Sequence, residues 1–518
     1  SPARPRRTRR RLRLGGVRSE NLVREETIVS DIGTGSVKSA IFGSTGELLG
    51  SAVGEYAAGS ESRGEIDPEV WWTAFTRSLS ALGEVRSLSD TGRIILTGQM
   101  QNLILLDSEG RPVAPAILYF DARGEGELET LFERVSRSRI VEITGNTPDG
   151  AGFPGKLLSV AERTPELIER TETVLCGAHD YVAYRLTGVA RSDRTTAGTT
   201  GLLDLSSGSW SAELIEAVPI DPANLPEVCF AQSSDGVIEG DLARELGLPE
   251  GVELLHGAGD VGASVLASEL SGGRVGCYLG TSGWVLDEAA PDRRGDPELG
   301  VFNLPHPSKE RIVRVAPLLT AAGAAEWFLS LLSEDPDERS RLYEELGRVA
   351  AERDEPTGIV FLPHLAGERS PFKDPEASGV FLGLRREDGR AKLFRAVLEG
   401  VSCAIRSVLE PLSESREETT ELLLSGGGGQ IRGWPEILAE VTGLPVRIAG
   451  DARFAGGRGM LSLLDSDASV PGASGAEQRE RVVGPPERRR YEAQYETFRK
   501  VYPRLRELMH ELRDAETA

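Results

Sequence analysis

Apolar positions along the chain fall into short runs separated by glycine-rich turns, and those runs set the predicted elements. Ordered structure should begin near Glu26. Thr27-Ile28-Val29-Ser30 reads as a strand, Asp31 to Ser36 turns the chain, and Val37 to Phe42 reads as a second strand. A third strand follows the turn Ser44-Thr45-Gly46-Glu47, which makes a β-meander that opens a mixed sheet. Helical spacing then runs from Pro68 to Leu82, with Asp67 placed to cap and Pro68 in the first turn. Arg93 to Gly98 is a buried strand ending in glycine, and Leu103 to Asp107 is another. Thr144 to Lys156 and Thr187 to Thr200 are rich in Gly, Thr, Asp and Pro and read as loops. Long loops inside a compact protein are usually functional.

The second half repeats the opening. Ser271-Gly272-Gly273 marks a break, Val275 to Tyr278 reads as a strand, Gly280-Thr281-Ser282-Gly283 as a turn, and Trp284 to Leu286 as the returning strand. Helices are predicted over Ala321 to Leu332, Asp337 to Arg353 and Ala391 to Leu412, then a strand over Glu421 to Leu424 runs into Gly426 to Gly429. The expected division is a basic, disordered extension over 1–25, an N-terminal domain over 26–268, a C-terminal domain over 274–470, and a charged segment with a helix over 471–518.

Composition narrows the function classes. With 518 residues the chain exceeds one ordinary core. No apolar run approaches the ~20 residues of a membrane span, and the basic start is not followed by the apolar stretch of a secretory signal. Cys176, Cys229, Cys277 and Cys403 are scattered, as reduced thiols in a cytoplasmic protein would be, and the five histidines form no metal-ligand spacing, so a protein-built zinc site is not expected. A net charge of −22 argues against nucleic acid as the partner, although Arg4, Arg6, Arg7, Arg9, Arg10, Arg11, Arg13 and Arg18 crowd the first eighteen residues.

Phosphates need backbone N–H donors at close range, and glycine allows that approach because it has no Cβ. Gly33-Thr34-Gly35-Ser36, with Lys38 just beyond, offers one such turn, and Gly280-Thr281-Ser282 offers a second at the matching position of the other half. Gly426 to Gly429 is either a flexible turn or a surface on which a flat base lies. Asp260, among small residues in His256-Gly257-Ala258-Gly259-Asp260-Val261-Gly262, is either a helix N-cap or a carboxylate facing a crevice.

Together these segments resemble the FGGY carbohydrate kinases, and within them the xylulose kinases. The resemblance runs from about Thr27 to about Leu464. It is most specific over Gly379-Val380-Phe381-Leu382-Gly383-Leu384 with Leu393, Ala396, Val397, Leu398 and Glu399, and is supported by Thr97-Gly98-Gln99-Met100, Asp180-Tyr181, Leu186-Thr187-Gly188 and Leu362-Pro363. The resemblance implies an α/β fold of two domains with a cleft between them, the actin-like, hexokinase-like (ribonuclease H-like) ATPase fold. It implies ATP and Mg²⁺ as cofactors and a small-molecule sugar as substrate, with no nucleic acid or membrane partner. A homodimer is common in the family.

By the same resemblance Asp31 and Asp260 attend the metal and Asp260 is the catalytic base. Gly33, Thr34, Gly35, Ser36, Lys38, Gly280, Thr281 and Ser282 hold phosphate, Gly427 and Gly428 carry adenine, and Gln99, Met100, Gln101 and Val261 border the sugar. Gln101 and Val261 depart from the histidine and asparagine usual in xylulose kinases, and Ser159 replaces a tryptophan of the N-terminal signature. A different sugar acid, polyol or furanosyl acceptor, and a non-catalytic actin-like ATPase, are the competing readings.

Overall fold

β-branched and leucine-rich runs make the central strands of two sheets, because residues buried on both faces need no polar alternation. The protein is described here by a computed structural model covering residues 25–268, 270, 272–352, 355–414, 419–448, 455–464, 481–484 and 490–517. The arginine-rich extension expected over 1–25 lies outside these residues except for Glu25.

The N-terminal lobe is built on β1 (Glu26–Ile32), β2 (Ser36–Phe42), β3 (Leu48–Glu55), β4 (Thr91–Gly98), β5 (Ser234–Ile238) and β6 (Val252–Gly259). They form one sheet in the order β5-β6-β4-β1-β2-β3, in which β1, β4 and β6 are parallel and the remaining neighbours antiparallel. Helix α1 (Pro68–Val85) covers one face. Asp67 accepts from the Glu69 N–H at 3.0 Å as its cap, and Trp71, Phe75, Leu79 and Leu82 enter the core.

The C-terminal lobe repeats this plan. Its sheet uses β7 (Arg274–Leu279), β8 (Gly283–Ala289), β9 (Phe302–Pro305), β10 (Ile312–Leu318), β11 (Glu421–Ser425), β12 (Val446–Ile448) and β13 (Arg481–Val483). The order is β9-β10-β8-β7-β11-β12-β13, with a four-strand antiparallel block where the first lobe has three, then two parallel strands and an antiparallel edge.

Three differences from the sequence expectation have local causes. Phe153 to Lys156 is not loop but the start of a helix over Phe153–Arg163, since Pro154 suits a first turn. Arg194–Thr199 is a short helix, because Asp193 accepts from the N–H groups of Thr195 and Thr196 at 3.0 and 3.2 Å. The charged segment placed over 471–518 does not stand apart where it is described. β13 joins the second sheet, and helix Glu492–Thr517, with Tyr491 just before it, buries Tyr491, Tyr495, Phe498 and Val501 in the C-terminal core. Among the described residues no helix is long and apolar enough to cross a membrane.

Candidate active site

The two glycine turns sit at equivalent points, each closing the first hairpin of its sheet. In the first, the Gly33 N–H donates to the Ser36 carbonyl at 3.0 Å, and Thr34 and Gly35 stand exposed. The Gly33 carbonyl accepts from the Tyr56 hydroxyl and from the Gln99 side-chain amide, both at 2.7 Å. Gln99 therefore braces the turn with its side-chain nitrogen.

In the second turn the Gly280 N–H donates to the Ser282 carbonyl at 3.0 Å. Helix α2 (Ala322–Ser330) starts directly against it: the Ala322 N–H donates to the Gly280 carbonyl at 2.7 Å, and those of Ala321 and Gly323 to the Thr281 carbonyl at 3.0 and 3.1 Å. Thr281 and Ser282 project outward, exposed. The glycine run lies beside this turn. Gly426 has φ of +88°, and a Cβ there would fall 2.4 Å from the Leu279 carbonyl oxygen. Gly427 is exposed with nothing within 4 Å of its would-be Cβ, so it offers bare backbone.

Asp260 follows β6 as the first residue of the helix Asp260–Ala267; the cap position belongs to Gly259, so the N-cap reading of Asp260 does not hold. Its side chain accepts from the Val261 N–H at 2.8 Å. The strand before it can come close to its neighbours only through small residues: Gly257, at φ +82°, passes so near β4 that a Cβ would lie 1.7 Å from the Leu96 carbonyl oxygen. The Asp260 carboxylate is open to the water of the cleft and still enclosed by the mass of the surrounding protein. That enclosure, and then the charge of Asp31, push its pKa up to about 6. Asp31, half-buried on β1, is also raised, by burial, with Lys38 and His179 opposing.

Thr34, Gln99, Met100, Gln101, Asp260 and Val261 line one cavity of about 320 Å³ between the lobes. The other wall comes from Trp284, Phe302, Val315, Pro317 and Arg369 of the C-terminal lobe. Gln101 holds a left-handed φ of +59°, which few non-glycine residues adopt. Its carbonyl accepts from the buried Lys156 ammonium at 3.4 Å, which also donates to the Leu118 carbonyl at 2.8 Å; burial lowers the Lys156 pKa to about 8. Lys38, paired across the hairpin with Asp31, does not line the cavity, and neither do the second turn nor the glycine run.

A polar network missed in the sequence lies beneath Asp260. His179 Nε2 is 3.1 Å from both Asp180 and Asp193, His256 bridges Asp235 at 2.8 Å and Asp180 at 3.2 Å, and Asp193 accepts from the Gly259 N–H at 3.2 Å. The ligating atoms of His179, Asp180, Asp193 and His256 all fall within 4.8 Å of one another, a grouping that spacing along the chain does not reveal. Burial pushes the His256 pKa down, but Cys229 and the hydrogen bonds to Asp180 and Asp235 together raise it well above the ordinary imidazole range.

Comparison with known proteins places this geometry. Residues 27–267 match the N-terminal domain of the FGGY family of carbohydrate kinases, and residues 276–463 match its C-terminal domain. A xylulose kinase of Escherichia coli K12 is 31% identical, over 92% of this chain and 99% of that protein. Crystal structures of a xylulose kinase from Rhodospirillum rubrum (26% identity, TM-score 0.83, 94% of this chain and 100% of that one) and of one from Brucella ovis (29%, 0.81, 93% and 100%) share the fold. With both domain matches in sequence order and a relative above 30% identity along nearly its whole length, the chain belongs to the FGGY family of carbohydrate kinases.

Proposed function

We propose that this chain transfers the γ-phosphoryl group of ATP to a hydroxyl of a small sugar, a pentulose such as xylulose, with Asp260 as the base. The observation that carries the reading is Asp260 itself, a carboxylate open to the cavity that Thr34 of the first phosphate turn also lines. The xylulose kinases matched along nearly the whole chain support a pentulose as acceptor.

Asp260 takes the proton of the acceptor hydroxyl as that oxygen bonds to the γ-phosphorus and the bond from phosphorus to the ADP oxygen breaks. A base with a pKa near 6 is ionised at neutral pH, ready to accept. Thr34, Gly35 and Ser36 from one lobe and Thr281 and Ser282 from the other present backbone N–H groups and hydroxyls to phosphate oxygens, and Gly280 keeps the second turn free of a side chain. Gly427 and Gly428 give the base of the nucleotide a flat backbone surface. Met100, Gln101 and Val261 shape the acceptor side, while Gln99 acts by holding Gly33.

The residues present fit a divalent cation. Asp31 and Asp260 both bind protons more tightly than usual, and the charge of Asp31 adds to the shift at Asp260, so the site is short of positive charge. Asp31 and Asp260 would hold Mg²⁺, which would supply charge neutralisation for the phosphate oxygens.

The test is ADP release from Mg-ATP against a panel of ketoses, polyols and sugar acids, comparing wild type with Asp260→Ala. Turnover that needs an acceptor and falls by ~10³-fold or more in the variant is expected. Full turnover in Asp260→Ala would remove the base assignment, and preference for a sugar acid would move the acceptor class.

A further inference from the structure

The cavity holds an excess of acid: Asp149 and Asp260 line it, and Asp31 lies close enough to raise the Asp260 pKa. An incoming phosphoryl group carries more negative charge into that space. One guanidinium answers it. Arg369 lines the same cavity from the C-terminal lobe, is exposed, and makes no ion pair with any other described residue. Every other residue lining the cavity is apolar, neutral polar or acidic.

The mounting of Arg369 is unusual for an exposed side chain. Its own N–H donates to the buried Glu368 carboxylate at 3.0 Å, and the same Glu368 oxygen accepts from the Leu319 N–H at 3.0 Å. Leu319 leads within two residues to Ala321, whose N–H meets the Thr281 carbonyl of the second phosphate turn. The other Glu368 oxygen takes His364 Nδ1 at 2.9 Å, and Glu368 and Asp374 exchange backbone hydrogen bonds at 2.8 and 2.9 Å. Asp374 is held in turn by the Tyr502 hydroxyl at 2.6 Å and His510 at 2.8 Å from the last helix. Gly300 packs so tightly under the loop that a Cβ would lie 1.9 Å from the Arg369 carbonyl oxygen. A rigid frame around one free cation is how a binding group is kept in place without reorganising. Between the lobes, the Tyr119 phenol senses both ends of the site: burial raises its pKa first, Asp260 adds to that, and Arg369 opposes.

We infer that Arg369 forms an oxyanion subsite on the C-terminal wall of the cleft and contacts the phosphoryl group as it passes from ADP to the acceptor. The inference rests on the kinase reading above. Its guanidinium fork matches two phosphoryl oxygens at once, which a lysine cannot reproduce. Since the group gains charge stabilisation mainly in transit, the effect belongs to kcat more than to nucleotide binding.

The experiment uses the full chain and three variants: Arg369→Gln, Arg369→Lys and, as a control, Lys373→Gln, whose cation lines the small recess next to the cavity but not the cavity. Binding of Mg-ADP is measured by calorimetry with and without aluminium fluoride, a mimic of the transferring phosphoryl group. Wild type and Lys373→Gln should bind ADP at least tenfold more tightly with the mimic. Arg369→Gln should bind ADP alone as wild type does and gain less than twofold from the mimic. In turnover, Arg369→Gln should lose ~10²- to 10³-fold in kcat with KM for ATP changed less than threefold, and Arg369→Lys should recover part of that loss. Equal gains from the mimic in wild type and Arg369→Gln would overturn the subsite, including where turnover then falls only with a sugar acid, which would make Arg369 a contact for the acceptor's carboxylate. A matching loss in Lys373→Gln would overturn it too, by assigning the effect to the general field of the loop. A wild type that gains nothing from the mimic would overturn both this subsite and the kinase reading.

Discussion

The two lobes share a plan and differ in what they put at its equivalent points. Ile32 and Leu279 end corresponding first strands, and each is followed by a glycine turn and an antiparallel return. One residue earlier, the N-terminal lobe has Asp31, whereas the C-terminal lobe has Tyr278, stacked on Trp284 with ring centroids 4.2 Å apart. After the strand laid parallel to the first, the N-terminal lobe runs from β4 into Gln99 and Met100 and the C-terminal lobe runs from β11 into Gly426 to Gly429, while Asp260 follows the next parallel strand, β6. The same frame has thus been given acid in one copy and bare backbone in the other. Carboxylates suit proton and metal chemistry, and unsubstituted backbone suits a flat base and its phosphates.

The comparison breaks most visibly if the backbone surface is given side chains. Gly427→Val meets open space and an ordinary φ, so it should fold normally and still obstruct the base. KM for ATP should rise by about tenfold, some 1.4 kcal/mol of binding, with Tm within 1 °C of wild type. An unchanged KM would mean that the adenine lies elsewhere.

A smaller effect tests the bracing of the acidic lobe's turn. The Gly33 carbonyl has two donors, Tyr56 and Gln99, so Tyr56→Phe leaves one in place. A three- to fivefold drop in kcat/KM is expected from steady-state kinetics, about the ~1 kcal/mol of one neutral hydrogen bond. Adding Gln99→Ala should cost more than the sum of the two single changes, because the carbonyl is then left without either donor.

The smallest effect is on stability. Asp260 has its folded pKa raised from the ordinary carboxylate range to about 6, so its ionised form costs stability in full above pH 6, and that cost fades as pH falls from there towards the unfolded pKa. Asp260→Asn should therefore raise Tm by roughly 2 °C at pH 8 and by less at pH 5. A larger gain at pH 5 would show that the carboxylate is not disfavoured in the fold.

How far the sequence disclosed this arrangement depended on whether the signal was local. The two strand–turn–strand openings were legible because alternation and glycine fall within a few residues of one another, and Asp260 stood out through its small neighbours. The reason for those neighbours was not legible: Gly257 answers to the Leu96 carbonyl on another strand, and Gly259 to Met100, whose Cγ would lie 2.1 Å from an added Cβ. Nor was the network of His179, Asp180, Asp193, Asp235 and His256, whose members come from separate elements and meet only once β6 is laid beside β4. Thr144 to Lys156 misled because loop-forming composition and a proline at a helix start look alike in letters.

The last helix has a consequence for the order in which the protein is finished. Tyr502 and His510 anchor the loop of Arg369 through Asp374, yet they are made after that loop, after both glycine turns and after Asp260. During synthesis the acidic lobe can assemble while the cationic wall of the cleft still lacks its support. A ribosome that stops before residue 502 would therefore release a chain with both glycine turns, the Gly426 to Gly429 run and Asp260 but an unbuttressed arginine, which under the function proposed above would hold ATP and fail to use it.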